Sequence, residues 1–258
     1  MIGWMSETCR PDLKYTHSRL GAYLQFPTEQ AWQKLIRTTC YAARKPHLGI
    51  RTPRWWVKQD PIYDPLPTNI EQQHAWRFYS DSDHAGNTEV SNRYKSHWGG
   101  LATLGGAPVL FVARSTGVAM AHPDMDKDGH ADTSSAAVEV YAAGNMTHEM
   151  LHLSYVAEDM GIKFPAPAIL QVDNDACKLF ILGETKHTKL KHIMTRQSWV
   201  RSLRDANIIV PRHVPSKKNP ADIFTKPVKE ELFCQLRHMF MHDCHPHTID
   251  AISLPVQD

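Results

Sequence analysis

Asp81 and Asp83 close an aromatic, strand-like run, Phe78-Tyr79-Ser80-Asp81-Ser82-Asp83-His84-Ala85-Gly86. Alternation along a strand puts both carboxylates on one side, and two acids on one face repel each other unless a cation sits between them. Glu139 lies about one turn into a long stretch of helical spacing, where it is either a solvated helix acid or a second ligand facing the strand carboxylate. Asp173 follows the short apolar strand Ala168-Ile169-Leu170-Gln171-Val172, at the C-terminal end where the sites of α/β proteins collect. Asp222 stands near the start of a short helix, a position the helix dipole favours for any carboxylate. Strand, helix, strand and helix thus each deliver one acid near an end that could converge with the others.

Three further groups of residues invite chemistry. Lys186, Lys189, Lys191, Arg196, Arg201 and Arg204 place six cations between residues 186 and 204 with no acid among them. With His192 they form the best phosphate-binding candidate in the chain, the plain alternative being a solvated charged face. The run from Asp124 to Gly129 matches the first half of a calcium loop, but Ser135 stands at the twelfth position where a bidentate Glu is needed, so a polar surface loop is favoured. Cys234, His238 and His242 recur every four residues, and Cys244 could complete a zinc set. The spacing matches no standard module, and an amphipathic helix is the simpler expectation.

The elements that must position these groups can be read from pattern. Residues 1 to about 50 predict two helices. Arg10-Pro11-Asp12 opens the first, and Thr28 caps the second ahead of apolar positions at Trp32, Leu35 and Ile36. This is too little for an independent core. Residues 59–74 carry three prolines and little periodicity, which predicts an extended linker. Beyond Ala75, the runs Trp98 to Leu104 and Pro108 to Ala113 flank Gly105-Gly106 and predict a hairpin. A long helix follows Thr133-Ser134-Ser135, with Val138, Tyr141, Ala142, Met146, Leu153 and Met160 as its buried stripe. The strand ending at Val172 then implies a right-handed crossover, and Asn207 to Pro215 reads as a last strand.

Bulk properties fit one large domain with appendages, or two small ones, in 258 residues. A net charge of +2 does not by itself announce a nucleic-acid binder. Five irregularly spaced cysteines fit reduced thiols better than a disulfide framework. With no membrane-length apolar run and no signal-peptide pattern at the start, an intracellular protein, cytoplasmic or nuclear, is the expectation.

The sequence around the acids is more specific than the acids themselves. The Phe78 to Gly86 run resembles the "YSDADWAG" of copia-type retrotransposon ribonuclease H domains, and Ser134-Ser135-Ala136-Ala137-Val138-Glu139-Val140-Tyr141-Ala142 resembles their "SSTEAEYIAL". Val172 to Cys177 is similar to "CDNQSA", Thr188 to Ile193 to "SRTKHI", and Ala221 to Pro227 reads "ADIFTKP". Upstream, Cys9-Arg10-Pro11-Asp12 and Pro27-Thr28-Glu29 resemble the "TRPD" and "PTEEHW" helices that follow the polymerase palm in the same polyproteins. The chain holds no Tyr-x-Asp-Asp polymerase motif, so copying of nucleic acid is not expected.

The resemblance implies a ribonuclease H-like α/β fold, a mixed five-stranded sheet with helices on both faces, preceded by a short helical segment. It implies a reverse-transcriptase remnant over residues 1–58, the linker at 59–74, the ribonuclease H-like domain at 75–227 and a C-terminal helix and tail at 228–258. It further implies cleavage of the RNA strand of an RNA·DNA hybrid, alongside the remaining reverse transcriptase. Asp81, Glu139, Asp173 and Asp222 would be the catalytic, metal-binding acids, holding two Mg²⁺, or Mn²⁺ as substitute, roughly 4 Å apart. Asp81 would bridge, with Glu139 and Asp173 toward one ion and Asp222 toward the other. Lys186, Lys189, Lys191, His192 and Arg196 would hold the hybrid's backbone. Two departures stand out: Ala137 replaces the family's first Glu, and the loop from Ala119 to Asp132 is longer than usual. An inactive, nucleic-acid-binding remnant of the same element is the alternative.

Overall fold

Strand β2 (Trp76–Asp83) is the middle of a five-stranded sheet. The structure, a computed structural model, describes residues 1–50, 76–83, 95–104, 106–119, 135–162, 164, 166–184 and 194–243. The 59–74 linker and the calcium-like run from Asp124 lie outside these residues. Alternation along β2 sends Trp76 and Phe78 into one core and Tyr79 into another, so the sheet is covered on both faces.

β3 (Lys95–Leu104) and β4 (Ala107–Ala119) lie antiparallel on one side of β2 and form the expected hairpin, with Gly106 at φ 88° taking a left-handed turn position. On the other side β5 (Ala168–Val172) and β6 (Ile209–His213) pair in parallel, giving the order β4-β3-β2-β5-β6. Parallel neighbours need crossovers. α4 (Ser135–Asp159) supplies the one before β5; α5 (Asp175–Leu182) and α6 (Met194–Asp205) supply the next.

These three helices fill one face, where Ala143, Met146 and Met150 of α4, Phe180 and Ile181 of α5 and Val200 of α6 pack on Phe78 and Leu170. Of the expected α4 stripe, Val138, Ala142 and Met146 are fully buried, but Met160 is 69% exposed. The helix ends before it. Gly161 adopts φ 69°, and its N–H and that of Ile162 donate to Glu158 O and Ala157 O at 2.9 and 2.7 Å, a Schellman closure that turns Met160 outward.

The opposite face is covered by a 3₁₀ helix (Pro220–Phe224) and α7 (Glu230–His238), with Phe224, Leu236, Phe240 and Met241 packed on Tyr79 and Leu101. Gly99 and Gly100 of β3 admit the two covering layers to close approach. A Cβ on Gly99 would meet Phe224, and one on Gly100 would meet Met146.

The N-terminal residues form α1 (Ile2–Thr8), a 3₁₀ turn (Pro11–Leu13), α2 (Lys14–Gly21) and α3 (Glu29–Arg44), the last capped as expected by Thr28, whose Oγ1 accepts from Ala31 N at 3.2 Å. These elements touch the sheet. Ser18 Oγ and Ser115 Oγ lie 3.1 and 3.2 Å from the two ring nitrogens of buried His97, whose pKa burial pushes down to about 4. β1 (Leu48–Ile50) pairs antiparallel with β7 (Met241–Asp243). Beneath that ribbon, Arg10 grips Asp12 through two 2.9 Å hydrogen bonds, Tyr41 OH donates to Asp12 at 2.7 Å, and Arg237 Nη1 donates to Tyr41 OH at 2.7 Å. Asp12→Ala would leave the buried Arg10 without its carboxylate, with only Lys45 O still accepting from it, and is expected to lower stability by about 3–5 kcal/mol, read from urea unfolding of the full chain. Among the described residues, no helix is long and apolar enough to cross a membrane.

Candidate metal centre

The register of the parallel pair sets the first two acids side by side. Ser80 of β2 is opposite Val172 of β5, so the next residues, Asp81 and Asp173, are neighbours at the C-terminal ends of adjacent strands. Glu139 comes to them from the start of α4. One carboxylate oxygen from each of Asp81, Glu139 and Asp173 lies within 4.8 Å of the other two. Asp81 is 1% exposed and Glu139 8%. Asp83 is not part of this cluster.

Asp222 reaches the same end of β2 from the opposite face, and Asn219 holds it there. The fully buried Asn219 donates from Nδ2 to Ser80 O at 3.1 Å and accepts from Ala221 N at 3.1 Å, capping the 3₁₀ helix and tying it to the strand one residue before Asp81. Pro220 occupies the first helical position, where its missing N–H is not needed. The Thr225 hydroxyl donates to Asp81 Oδ2. Lys226 Nζ stands 3.4 Å from Asp81 Oδ2 and 3.3 Å from Asp222 Oδ2, joining the two acids.

The electrostatics follow from this crowding. Burial pushes Asp81 up to about 7, with Asp222 and Asp173 adding to the rise while Lys226 and the Thr225 hydrogen bond oppose it. Asp222 is pushed up to about 6 by burial and Asp173, again against Lys226. Burial, then Asp81 and Asp173, holds Glu139 well above the usual carboxylate range despite a hydrogen bond from Ser82. Burial alone would lower Lys226, but the acids around it outweigh burial and raise it.

Among the described residues, Glu139 Oε2 and Asp222 Oδ1 are buried without a hydrogen-bond partner. Buried carboxylate oxygens are ordinarily satisfied, and two such oxygens beside three converging acids fit a hard divalent cation bound through oxygen. The described structure therefore brings Asp81, Glu139 and Asp173 together and connects Asp222 through Lys226.

Other residues singled out by sequence stand elsewhere. Lys186, Lys189, Lys191 and His192 lie outside the described residues, and Arg196 falls in the first turn of α6. Two cations of that basic run serve packing. Arg201 Nε donates to Phe180 O at 2.8 Å with its guanidinium 3.9 Å from the Phe180 ring centroid, and Arg204 Nη1 donates to Ile181 O at 2.7 Å, so both close the C-terminus of α5. Cys234 and His238 lie on α7 and His242 on β7, while Cys244 is outside the described residues. Asn219, Thr225 and Lys226 were not anticipated as parts of the site. Thr225 and Lys226 belong to the motif that carries Asp222, and Asn219 stands two residues before that motif.

A mixed sheet in this order, with acids converging at the C-terminal ends of β2 and β5 and on the crossover helix α4, is a ribonuclease H-like fold. The chain is similar in sequence to copia-type retrotransposon Pol polyproteins. It is 26% identical over 224 residues to the retrovirus-related Pol polyprotein from transposon RE2 of Arabidopsis thaliana, covering 87% of this chain and 13% of that one. The RE1 polyprotein of the same plant matches with the same identity and coverage. The polyprotein from transposon TNT 1-94 of Nicotiana tabacum is 26% identical over 155 residues, 60% of this chain and 10% of that one. The chain thus spans about an eighth of the length of the curated relatives it matches first. No protein-family profile matches. Similar solved structures include the N-terminal RNase H domain of a Mycobacterium tuberculosis protein, at 13% identity and TM-score 0.39 over 63% of this chain and 95% of that one. LC11-RNase H1 in complex with an RNA/DNA hybrid matches at 16% identity and TM-score 0.40, over 58% of this chain and 93% of that one.

Proposed function

We propose that the chain is a metal-dependent endonuclease that hydrolyses the RNA strand of RNA·DNA hybrids, working beside the reverse transcriptase of the same polyprotein. The observation that carries this reading is the convergence of Asp81, Glu139 and Asp173 with two buried, unpartnered carboxylate oxygens. The homology to Pol polyproteins supports the setting.

Asp81, Glu139 and Asp173 would hold one divalent ion, Mg²⁺ or its substitute Mn²⁺, and Asp81 with Asp222 would face a second. Bound there, the ions supply activation of the attacking water and stabilisation of the leaving oxygen in an in-line displacement. The chain's own groups set the stage. Ser82 steadies Glu139, the Thr225 hydroxyl fixes one Asp81 oxygen, and burial of Asp81 and Glu139 keeps bulk water from their carboxylates. Lys186, Lys189, Lys191, His192 and Arg196 are proposed to hold the hybrid's backbone, and contacts to successive 2′-hydroxyls would select RNA in the cut strand.

The test is an end-labelled RNA·DNA hybrid incubated with the full chain and Mg²⁺, beside an Asp81→Asn, Glu139→Gln double variant. Cutting of the RNA strand alone, lost in the variant and in EDTA, is expected. An intact hybrid that still shifts on a gel would replace this reading with a silent nucleic-acid-binding remnant.

A further inference from the structure

The acid cluster is not evenly compensated. Among the described residues Glu139 Oε2 and Asp222 Oδ1 both lack a hydrogen-bond partner, but on the side of Asp222 an ammonium already stands between the other oxygen of that acid and Asp81. Lys226 reaches that position because it lies four residues after Asp222, just past the 3₁₀ helix, and its N–H donates to Asp222 O at 3.2 Å. Contacts of 3.4 and 3.3 Å to one oxygen of each acid put the charge on the line where the second of two ions would be held. The lysine side chain is 34% exposed, against 1% and 5% for its two partners, so it alone of the three has a route to solvent. An ammonium offers three donors and a full charge but no ligand exchange, and it repels a divalent ion brought to the same oxygens.

Resting on the metal-dependent reading above, we propose that Lys226 is the resident counter-ion of the Asp81–Asp222 edge: a first divalent ion enters at the Asp81, Glu139 and Asp173 oxygens, and a second must displace the ammonium. Lys226 is then a positioning residue. It holds Asp222 toward Asp81 in the ion-free protein, and it sets the concentration at which the second ion binds.

The experiment is calorimetric titration of the metal-free full chain with MnCl₂, without nucleic acid, for the native sequence, Lys226→Met and Lys226→Arg. The native chain and Lys226→Arg are expected to bind a first ion and then a second at least about tenfold more weakly, the scale on which a neighbouring charge alters an acid's occupancy. In Lys226→Met the second step should tighten by about tenfold or more. Equal second-step affinities in the native chain and Lys226→Met would overturn the proposal while leaving the metal site standing. Heat from none of the three would remove the metal-dependent reading and this inference with it. Nitrogen-15 NMR of the Lys226 ammonium in the native chain covers the case in which the Met variant fails to fold. Its resonance should move in the second step of the titration, and movement completed in the first step would refute displacement by a second ion.

Discussion

Asp81→Asn is expected to raise the melting temperature of the metal-free chain at pH 8, by on the order of 5 °C, while removing its response to Mg²⁺. Asp81 is almost wholly buried beside Glu139, Asp173 and Asp222, and its pKa rises from 3.8 to about 7. The folded chain therefore keeps a proton there that the unfolded chain releases as pH climbs above about 4. Between those two values the unfolded state binds fewer protons, and stability falls with each step upward in pH. Below pH 4 both states hold the proton and the acid carries no penalty; above pH 7 the penalty is complete. Asparagine keeps the shape without the charge, so the gap between variant and native chain should open from near zero at pH 4 to its full size at pH 8. Lys226 still has Asp222 in the variant, so it is not left unpaired. His97, neutral above about pH 4, contributes equally to both proteins and cancels. Thermal melts in EDTA across that range measure the gap; a gap that does not change with pH would show that Asp81 is not repelled in the folded state. With millimolar Mg²⁺ the native chain alone should regain stability, since ligand binding to the folded state stabilises it.

Gly99→Ala should do the greatest damage of any single methyl addition in the sheet. Gly99 is the cross-strand partner of Asp81, and a Cβ there would lie 2.6 Å from Phe224 Cβ, 2.8 Å from Thr225 Cγ2 and 3.0 Å from the Phe224 carbonyl carbon. Phe224 and Thr225 are fully buried, and one of the three atoms is backbone, so the 3₁₀ helix itself has to move. That shift carries Asp222, Thr225 and Lys226 away from Asp81. A loss of about 3 kcal/mol or more is expected, at the upper end for an overpacked core, together with loss of Mn²⁺ binding. Gly100→Ala is the control. Its Cβ would lie 2.5 Å from Met146 Sδ, in an adaptable thioether side chain, with the nearest backbone atom, Tyr79 O, at 3.3 Å, and a loss nearer 1 kcal/mol with metal binding intact is expected. Denaturant unfolding followed by calorimetry separates the two; equal effects would mean that the 3₁₀ helix is not held by its closeness to β3.

The three-acid cluster was legible because strand ends and helix starts are written in pattern. Val172 closes an apolar strand and Asp173 follows it, Ser134 and Ser135 open a helix and Glu139 lies one turn in, and parallel register does the rest. Lys226 was a different matter. Its letter is plain in the "ADIFTKP" run, but a five-residue 3₁₀ helix has no periodicity that says where the next side chain points. α1 begins at Ile2 behind Met1, which makes no side-chain capping bond, and β1 and β7 have three residues each, too few to show alternation. Charge counting along 186–204 likewise could not tell that Arg201 and Arg204 are committed to the carbonyls of α5, because that depends on where the preceding helix ends.

The pairing of β1 with β7 has a consequence in time. Leu48 meets Asp243, and Tyr41 meets Arg237 across 196 positions, so these contacts require closure of nearly the whole described chain. Loop-closure entropy makes such contacts slow to form and late to be rewarded. Arg10, Asp12 and Tyr41 are near one another in sequence, yet Tyr41 has no Arg237 to accept from, and Leu48 has no Met241 or Phe240 to lie against, until α7 and β7 are in place. The helices before the sheet are therefore expected among the last elements to be locked, after the central sheet has formed.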